Sequence, residues 1–159
     1  MTESFQATSA IDAAHAARLT FGVVRTQPAG SAEESAELQG IPLRSLLRTL
    51  VVRRAADDYL FVLVPGGRRF DWPKLRAHLG VKRMTMPDAD EAREVTGYER
   101  GAITPFGAAK ALPVIIDAAA LEGPLVAIGG GARGVNLHLA PRDLVEALGA
   151  EVVDVATDE

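Results

Sequence analysis

Two apolar runs joined by a short turn set the frame of this chain. Leu46–Val52 (LLRTLVV) and Tyr59–Val64 (YLFVLV) are rich in leucine and valine, and a turn lies around Ala55–Asp58. Apolar runs bounded by turn residues in this way read as a β-hairpin. Side chains alternate between the faces of a strand. Leu46, Arg48, Leu50 and Val52 therefore share one face, and Leu47, Thr49 and Val51 share the other. Arg48 interrupts an apolar row. Burying a guanidinium there without a partner costs several kcal/mol, so either the face opens at Arg48 or the charge meets a partner.

The segments around the hairpin alternate irregularly between helix and strand. Capping-box spacings at Ser9–Asp12 and Ser31–Glu34 start two helices, the first running to about Leu19 and the second stopped by Gly40. LTFGVV lies between them as a short strand. Asp71 caps a helix closed by Gly80, VKRMTM alternates as a strand, and Asp88–Glu91 opens a helix that stops near Gly97. LPVIID, PLVAI, VNLHLA and EVVDV read as strands, and PRDLVEALG reads as a helix with proline early and glycine at its end. Residues 1–8 read as a loose tail and 9–159 as one domain. The expected fold class is α/β, a single mixed domain without the strict strand–helix alternation of a doubly wound sheet.

Composition removes several chemistries. The 159 residues suffice for one core, and 48% of them are hydrophobic. There is no cysteine, which excludes disulfides, thiolate zinc sites and cysteine nucleophiles. His15, His78 and His138 are scattered, so no metal site is expected. The N-terminus lacks a signal-peptide layout, and no apolar run approaches the ~20 residues of a membrane span. The expected location is the cytoplasm, with no membrane partner. The net charge of −4 argues against a nucleic-acid partner, but the charge is polarised. Arg44–Arg83 carries ten basic and three acidic residues, a local +7, leaving −11 to the remainder. Such a segment is either a cationic binding face or an ordinary solvated surface.

Two glycine loops are candidate ligand elements. GGGARG at Gly129–Gly134 satisfies G-x-G-x-x-G, yet a dinucleotide site needs a helix next, and VNLHLA follows with a period of two. The segment is a tight turn between strands or a loop that approaches a ligand closely. GAITPFG at Gly101–Gly107 is a connector, or a shaped loop whose backbone amides can receive a carbonyl oxygen or oxyanion. No catalytic constellation accompanies them. Ser45 is not in a nucleophile elbow, and Asp117 fits a strand-end or cap aspartate as well as a catalytic one. His138 fits a surface or supporting position as well as a general base. From these features alone the chain is a mixed α/β domain with a candidate ligand cleft.

Taken in order, RTLVV, FVLVPGGRRFDWPKL, EVTGYERGAITPFG, LPVIID and GGGARGVNLHL resemble the YbaK family of aminoacyl-tRNA deacylases, related to the editing insertion of bacterial prolyl-tRNA synthetases. The resemblance runs from about Phe21 to Val155. It implies a curved, barrel-like, mostly antiparallel or mixed sheet flanked by short helices. It also implies hydrolysis, in trans, of the ester joining a wrong amino acid to the 3′-terminal adenosine of a tRNA, without a cofactor.

By the same resemblance, Arg48 stands where family members place a lysine, and GAITP matches the G-x-x-x-P loop whose backbone faces the aminoacyl group. Gly101 and Pro105 carry over directly. Ala102 replaces a frequent second glycine and narrows the pocket, with Ile103 and Thr104 between. GGGARG matches the family's glycine-rich segment, with Gly130, Gly131, Arg133 and Gly134 in place. Arginine does not act as a base, so the resemblance leaves Arg48 a cation's role: anchoring the terminal nucleotide or polarising the ester carbonyl. The alternatives are an arginine snorkelling at the sheet edge, and a module that binds aminoacyl-tRNA without hydrolysing it. The expected substrate carries a small amino acid such as alanine, serine or cysteine. The expected partners are aminoacyl-tRNA, met along Arg44–Arg83, and a synthetase; the expected state is a monomer or weak dimer.

Overall fold

A computed structural model describes residues 8–159, so the tail read at 1–8 lies outside the described residues except for Thr8. The chain begins with α1 (Ser9–Ala16), β1 (Gly22–Arg25), α2 (Ala32–Gln39) and a 3-10 turn at Leu43–Ser45. The hairpin follows as β2 (Leu47–Ala55) and β3 (Asp58–Pro65), then β4 (Arg68–Phe70), α3 (Trp72–Leu79) and α4 (Ala89–Thr96). The last third holds β5 (Val114–Asp117), a 3-10 turn at Ala118–Leu121, β6 (Val126–Gly129), β7 (Val135–Leu139), α5 (Pro141–Leu148), β8 (Glu151–Val153) and β9 (Ala156–Asp158).

The helix limits follow from local chemistry. Ser31, Asp71 and Asp88 accept hydrogen bonds from the amides of Glu34, Lys74 and Glu91 at 3.0, 3.0 and 2.8 Å, each cap contributing about 1 kcal/mol. Gly40, Gly80, Gly97 and Gly149 end their helices in the left-handed conformation. The first helix departs from the expected limits. Its cap is Thr8, whose Oγ1 accepts from the Ile11 amide at 3.0 Å, and it ends at Ala16 rather than near Leu19.

Among the described residues the strands form three sheets. One has the order β1-β7-β6, all antiparallel; the second runs β2-β3-β5-β8, antiparallel at the hairpin and parallel thereafter; β4 and β9 pair antiparallel. The domain is mixed α/β as expected, but the sheets do not close into a barrel. The edges of β2 and β6 meet at one bridge, Leu46 to Ala127. VKRMTM is not a strand. Only Thr85 pairs, with Arg53, through two backbone hydrogen bonds of 2.8 and 3.0 Å. Strands β4 and β9, three residues each, carry too short a pattern for alternation to reveal them.

Strand β3 is buried on both faces, which explains its unbroken apolar run. Phe61 and Leu63 face one core with Leu47, Val51, Ile116, Ile128 and Leu137. Leu60, Val62 and Val64 face a second core with Val52, Ile115 and Leu75 of α3. Several cations of the basic segment are paired with carboxylates. Arg53 faces Glu91, Arg54 pairs with Asp58, Arg68 with Asp117 and Asp158, and Lys74 with Asp154. Most of these carboxylates lie outside the segment, so part of the local +7 is offset in three dimensions.

Candidate active site

A cleft of about 640 Å³ opens where the two larger sheets part. Beyond the Leu46–Ala127 bridge no further pairing joins β2 to β6 among the described residues. The edge of β2 from Leu47 to Val51 forms one side, and Gly129 with the stretch from Ala132 to Asn136 the other. Helix α2 contributes Ser31, Ala32 and Ser35, the start of α4 contributes Asp88, Ala89 and Ala92, and Gly101 and Ile103 close the remaining side.

The Gly101–Gly107 loop is held rigidly. Tyr98, buried, donates from its hydroxyl to the Phe106 carbonyl at 2.6 Å across the base of the loop, and burial raises its phenol pKa. Thr96 accepts from the Tyr98 amide at 3.1 Å, and the Ala109 amide donates to the Thr96 carbonyl at 2.8 Å. A side chain at Gly107 would place Cβ 2.4 Å from the Ser9 carbonyl oxygen, so the loop packs on α1 with no room to spare.

The Gly129–Gly134 segment is the β6–β7 hairpin turn, the reading its period-two sequel supports. Its Gly130 amide donates to the Val135 carbonyl at 2.7 Å, and Thr8 donates to the Gly130 carbonyl at 2.5 Å. Gly134, at φ +76°, has the Thr26 carbonyl oxygen 2.4 Å from any added Cβ. The turn is thus fastened to α1 on one side and to the end of β1 on the other.

Of the residues singled out from sequence, Arg48, Gly101, Ile103, Arg133 and Gly134 line the cleft. Ala102, Thr104, Pro105, Gly130 and Gly131 lie outside its lining. Ala102, Thr104 and Gly130 are buried, and Gly131 packs against Ala10, Thr8 and Tyr98. These four pack behind the walls instead of forming them. Arg133 is exposed at the mouth, where Nη2 donates to the Arg100 carbonyl at 3.2 Å.

Arg48 is half-buried and lies opposite Val64, on the face of β2 that meets the second core. Its Nη2 donates to the Arg68 carbonyl of β4, and its Nε is buried without a partner. Arg68 is itself fixed by Asp117, 3.0 Å from Nε and fully buried. The partner that the opening row of apolar residues demands is therefore a backbone carbonyl.

Sequence reasoning missed the α2 wall, Met86, Asn136 and Thr49. Thr49 lies on the Leu47–Val51 face, and its Oγ1 is buried without a hydrogen-bond partner. The strand alternation that separates Thr49 from Arg48 was the available signal.

Residues 26–147 match the aminoacyl-tRNA editing domain family. A candidate Cys-tRNA(Pro)/Cys-tRNA(Cys) deacylase, EbsC, of Enterococcus faecalis is 28% identical over 129 residues, 81% of this chain and 79% of that protein. A proline–tRNA ligase of Thermosipho africanus is 34% identical over 94 residues, 59% of this chain but 17% of the ligase. The crystal structure of a candidate trans-editing enzyme for prolyl-tRNA synthetase superposes with a TM-score of 0.86 at 26% identity, covering 99% of both chains. This chain belongs to the aminoacyl-tRNA editing domain family. Among the described residues no helix is long and apolar enough to cross a membrane, and no group of His, Asp and Glu is arranged to hold a metal ion.

Proposed function

We propose that this protein is a trans-editing hydrolase that deacylates mischarged aminoacyl-tRNA, releasing a small amino acid from the 3′-terminal adenosine. The observation that carries the reading is the cleft: residues from both glycine motifs, Gly101, Ile103, Arg133 and Gly134, share it with Arg48, inside the span that matches the editing family. Water attacks the ester carbonyl carbon, the bond to the ribose oxygen breaks, and free amino acid and tRNA leave. Among the described lining residues the one carboxylate is Asp88, which is engaged as the cap of α4 by accepting from the Glu91 amide at 2.8 Å. A neighbouring ribose hydroxyl or the amino acid's own groups supply the general base, while the protein positions the ester and stabilises developing charge. Arg48 is the cation assigned to that charge, and the exposed Arg100 and Arg133 meet the phosphates at the mouth, a contact that weakens with salt.

A second reading is favoured by one observation. The Arg48 guanidinium is already hydrogen-bonded to the Arg68 carbonyl on the far face of β2. A module that binds aminoacyl-tRNA without hydrolysing it needs no cation at the ester. Incubation with a panel of mischarged tRNAs, beside Arg48→Ala and Arg48→Lys, separates the two. The hydrolase reading expects release of amino acid from at least one tRNA bearing a small residue. Tight binding with no release from any tRNA overturns it in favour of the module.

A further inference from the structure

Ser35 lines the cleft from α2, and its hydroxyl ends a polar relay that none of the glycine motifs contains. Gln39, one turn further along α2 and buried, donates from Nε2 to Ser35 Oγ at 2.9 Å. Gln39 Oε1 accepts from His138 Nε2 at 2.8 Å. His138 projects from the middle strand of its sheet, with Gly22 and Ala127 as its cross-strand neighbours. Placing an amide and an imidazole between a helix and a sheet carries a desolvation cost that apolar side chains avoid. Burial in turn lowers the His138 pKa below its ordinary value.

The relay leaves one group over. A serine hydroxyl has one donor and two acceptor sites. Ser35 Oγ spends an acceptor site on Gln39, so its proton is directed elsewhere. Serine in a helix commonly returns that proton to the carbonyl four residues back. Here the Ser31 carbonyl accepts from the Ser35 amide at 3.0 Å, and among the described residues the Ser35 hydroxyl donates to no protein group. The donor is free on a residue that lines the cleft.

We propose that Ser35, oriented by Gln39 and His138, is a specificity residue that donates a hydrogen bond to a hydroxyl of the bound ligand. The inference rests on the editing reading of this cleft. An acylated adenosine offers that hydroxyl from two sources: the ribose position beside the ester, or the side chain of a hydroxy-amino acid.

The test is calorimetric binding of four ligands that cannot be hydrolysed: adenosine joined through a 3′-amide to serine or to alanine, each with and without its 2′-hydroxyl. Alanine is a good helix former, so Ser35→Ala leaves α2 intact. It is expected to weaken binding about 3- to 10-fold for ligands carrying the recognised hydroxyl and to leave the others unchanged. Loss confined to the seryl pair assigns the side chain; loss confined to the 2′-hydroxyl pair assigns the ribose. Gln39→Glu, which accepts the Ser35 proton, is expected to weaken the same ligands, and Ser35→Thr to restore them. An equal change in all four ligands, no change in any, or no binding of any by the natural protein overturns the inference. Selective binding without release of amino acid from any aminoacyl-tRNA sinks the hydrolase reading and leaves this inference standing. Deacylation with binding indifferent to Ser35→Ala does the reverse.

Discussion

Thr49→Val is expected to stabilise the protein, against the usual sign of a substitution. Thr49 Oγ1 is buried and has no hydrogen-bond partner within the protein. A hydroxyl in that position costs about 1–3 kcal/mol. Valine keeps the branched shape and the strand preference of threonine and removes the oxygen. Thr49 stands opposite Leu63 and between Leu47 and Val51 on its face, so the new methyl group lands among apolar neighbours. The expected gain is about 1–3 kcal/mol, or roughly 2–12 °C in Tm for a chain of this length. Urea denaturation reads the same change as a higher midpoint at constant slope. Thr104 is the matched control, since its Oγ1 is also buried and unpartnered, and the residue lies outside the cleft lining. Both valine variants should be more stable, and Thr49→Val alone should alter ligand affinity. A fall in Tm for Thr49→Val beside a rise for Thr104→Val would refute the reasoning, because it would mean that the Thr49 hydroxyl is bonded.

Three other perturbations follow from contacts already described. Asp117→Asn replaces a fully buried carboxylate that accepts from Arg68 Nε and from the Val155 amide, each at 3.0 Å; chemical denaturation should show a loss of about 3 kcal/mol, the lower end for a broken buried pair because Arg68 keeps Asp158 at 2.7 Å. Gly134→Ala forces a Cβ to 2.4 Å from the Thr26 carbonyl oxygen at φ +76° and should cost roughly 2 kcal/mol or more, whereas Gly40→Ala, with similar φ but nothing within 4 Å, should cost only the backbone term. His138, held by burial below its ordinary pKa of 6.5, binds its proton more readily in the unfolded chain; its contribution to stability is complete above pH 6.5 and declines as pH falls through the lowered folded value, and His138→Phe should flatten that limb of a Tm-against-pH curve.

The parts of the fold legible in sequence are those set by local chemistry. Ser31, Asp71 and Asp88 announce their helices because a cap is a contact across three residues, and Gly40 and Gly97 end theirs because only glycine takes positive φ without strain. The hairpin is legible because both its strands are long. VKRMTM has the same alternation, but its only partner is one residue of an edge strand, and pattern cannot report whether a partner exists. The site divides in the same way. Glycine motifs identify the loops, yet several of their residues back the cleft because a turn must pack behind itself to hold its shape. The α2 wall carries no motif: Ser35 reads as an ordinary helix serine until the relay to His138, 103 positions away in sequence, is visible.

Arg48 is where motif and geometry separate, and the separation makes a kinetic prediction. On an edge strand the backbone faces sideways into the cleft while side chains leave by the two faces. A motif that fixes the strand does not fix which face a ligand uses. The Arg48 guanidinium holds the Arg68 carbonyl on the second-core face. To reach an ester in the cleft it must give up that bond, a charge-assisted one worth about 1.5–3 kcal/mol. A neutral ester carbonyl offers no more than the carbonyl it would replace, so the bound substrate gives Arg48 no reason to move. A tetrahedral oxyanion does, because ionised acceptors form bonds roughly twice as strong. If Arg48 takes part in hydrolysis, it therefore acts on the transition state and not on the bound substrate. Arg48→Ala should then lower kcat and leave KM unchanged. A raised KM with unchanged kcat would place Arg48 in substrate binding and contradict this account. Unchanged kcat and KM with lowered Tm would make it a brace between β2 and β4.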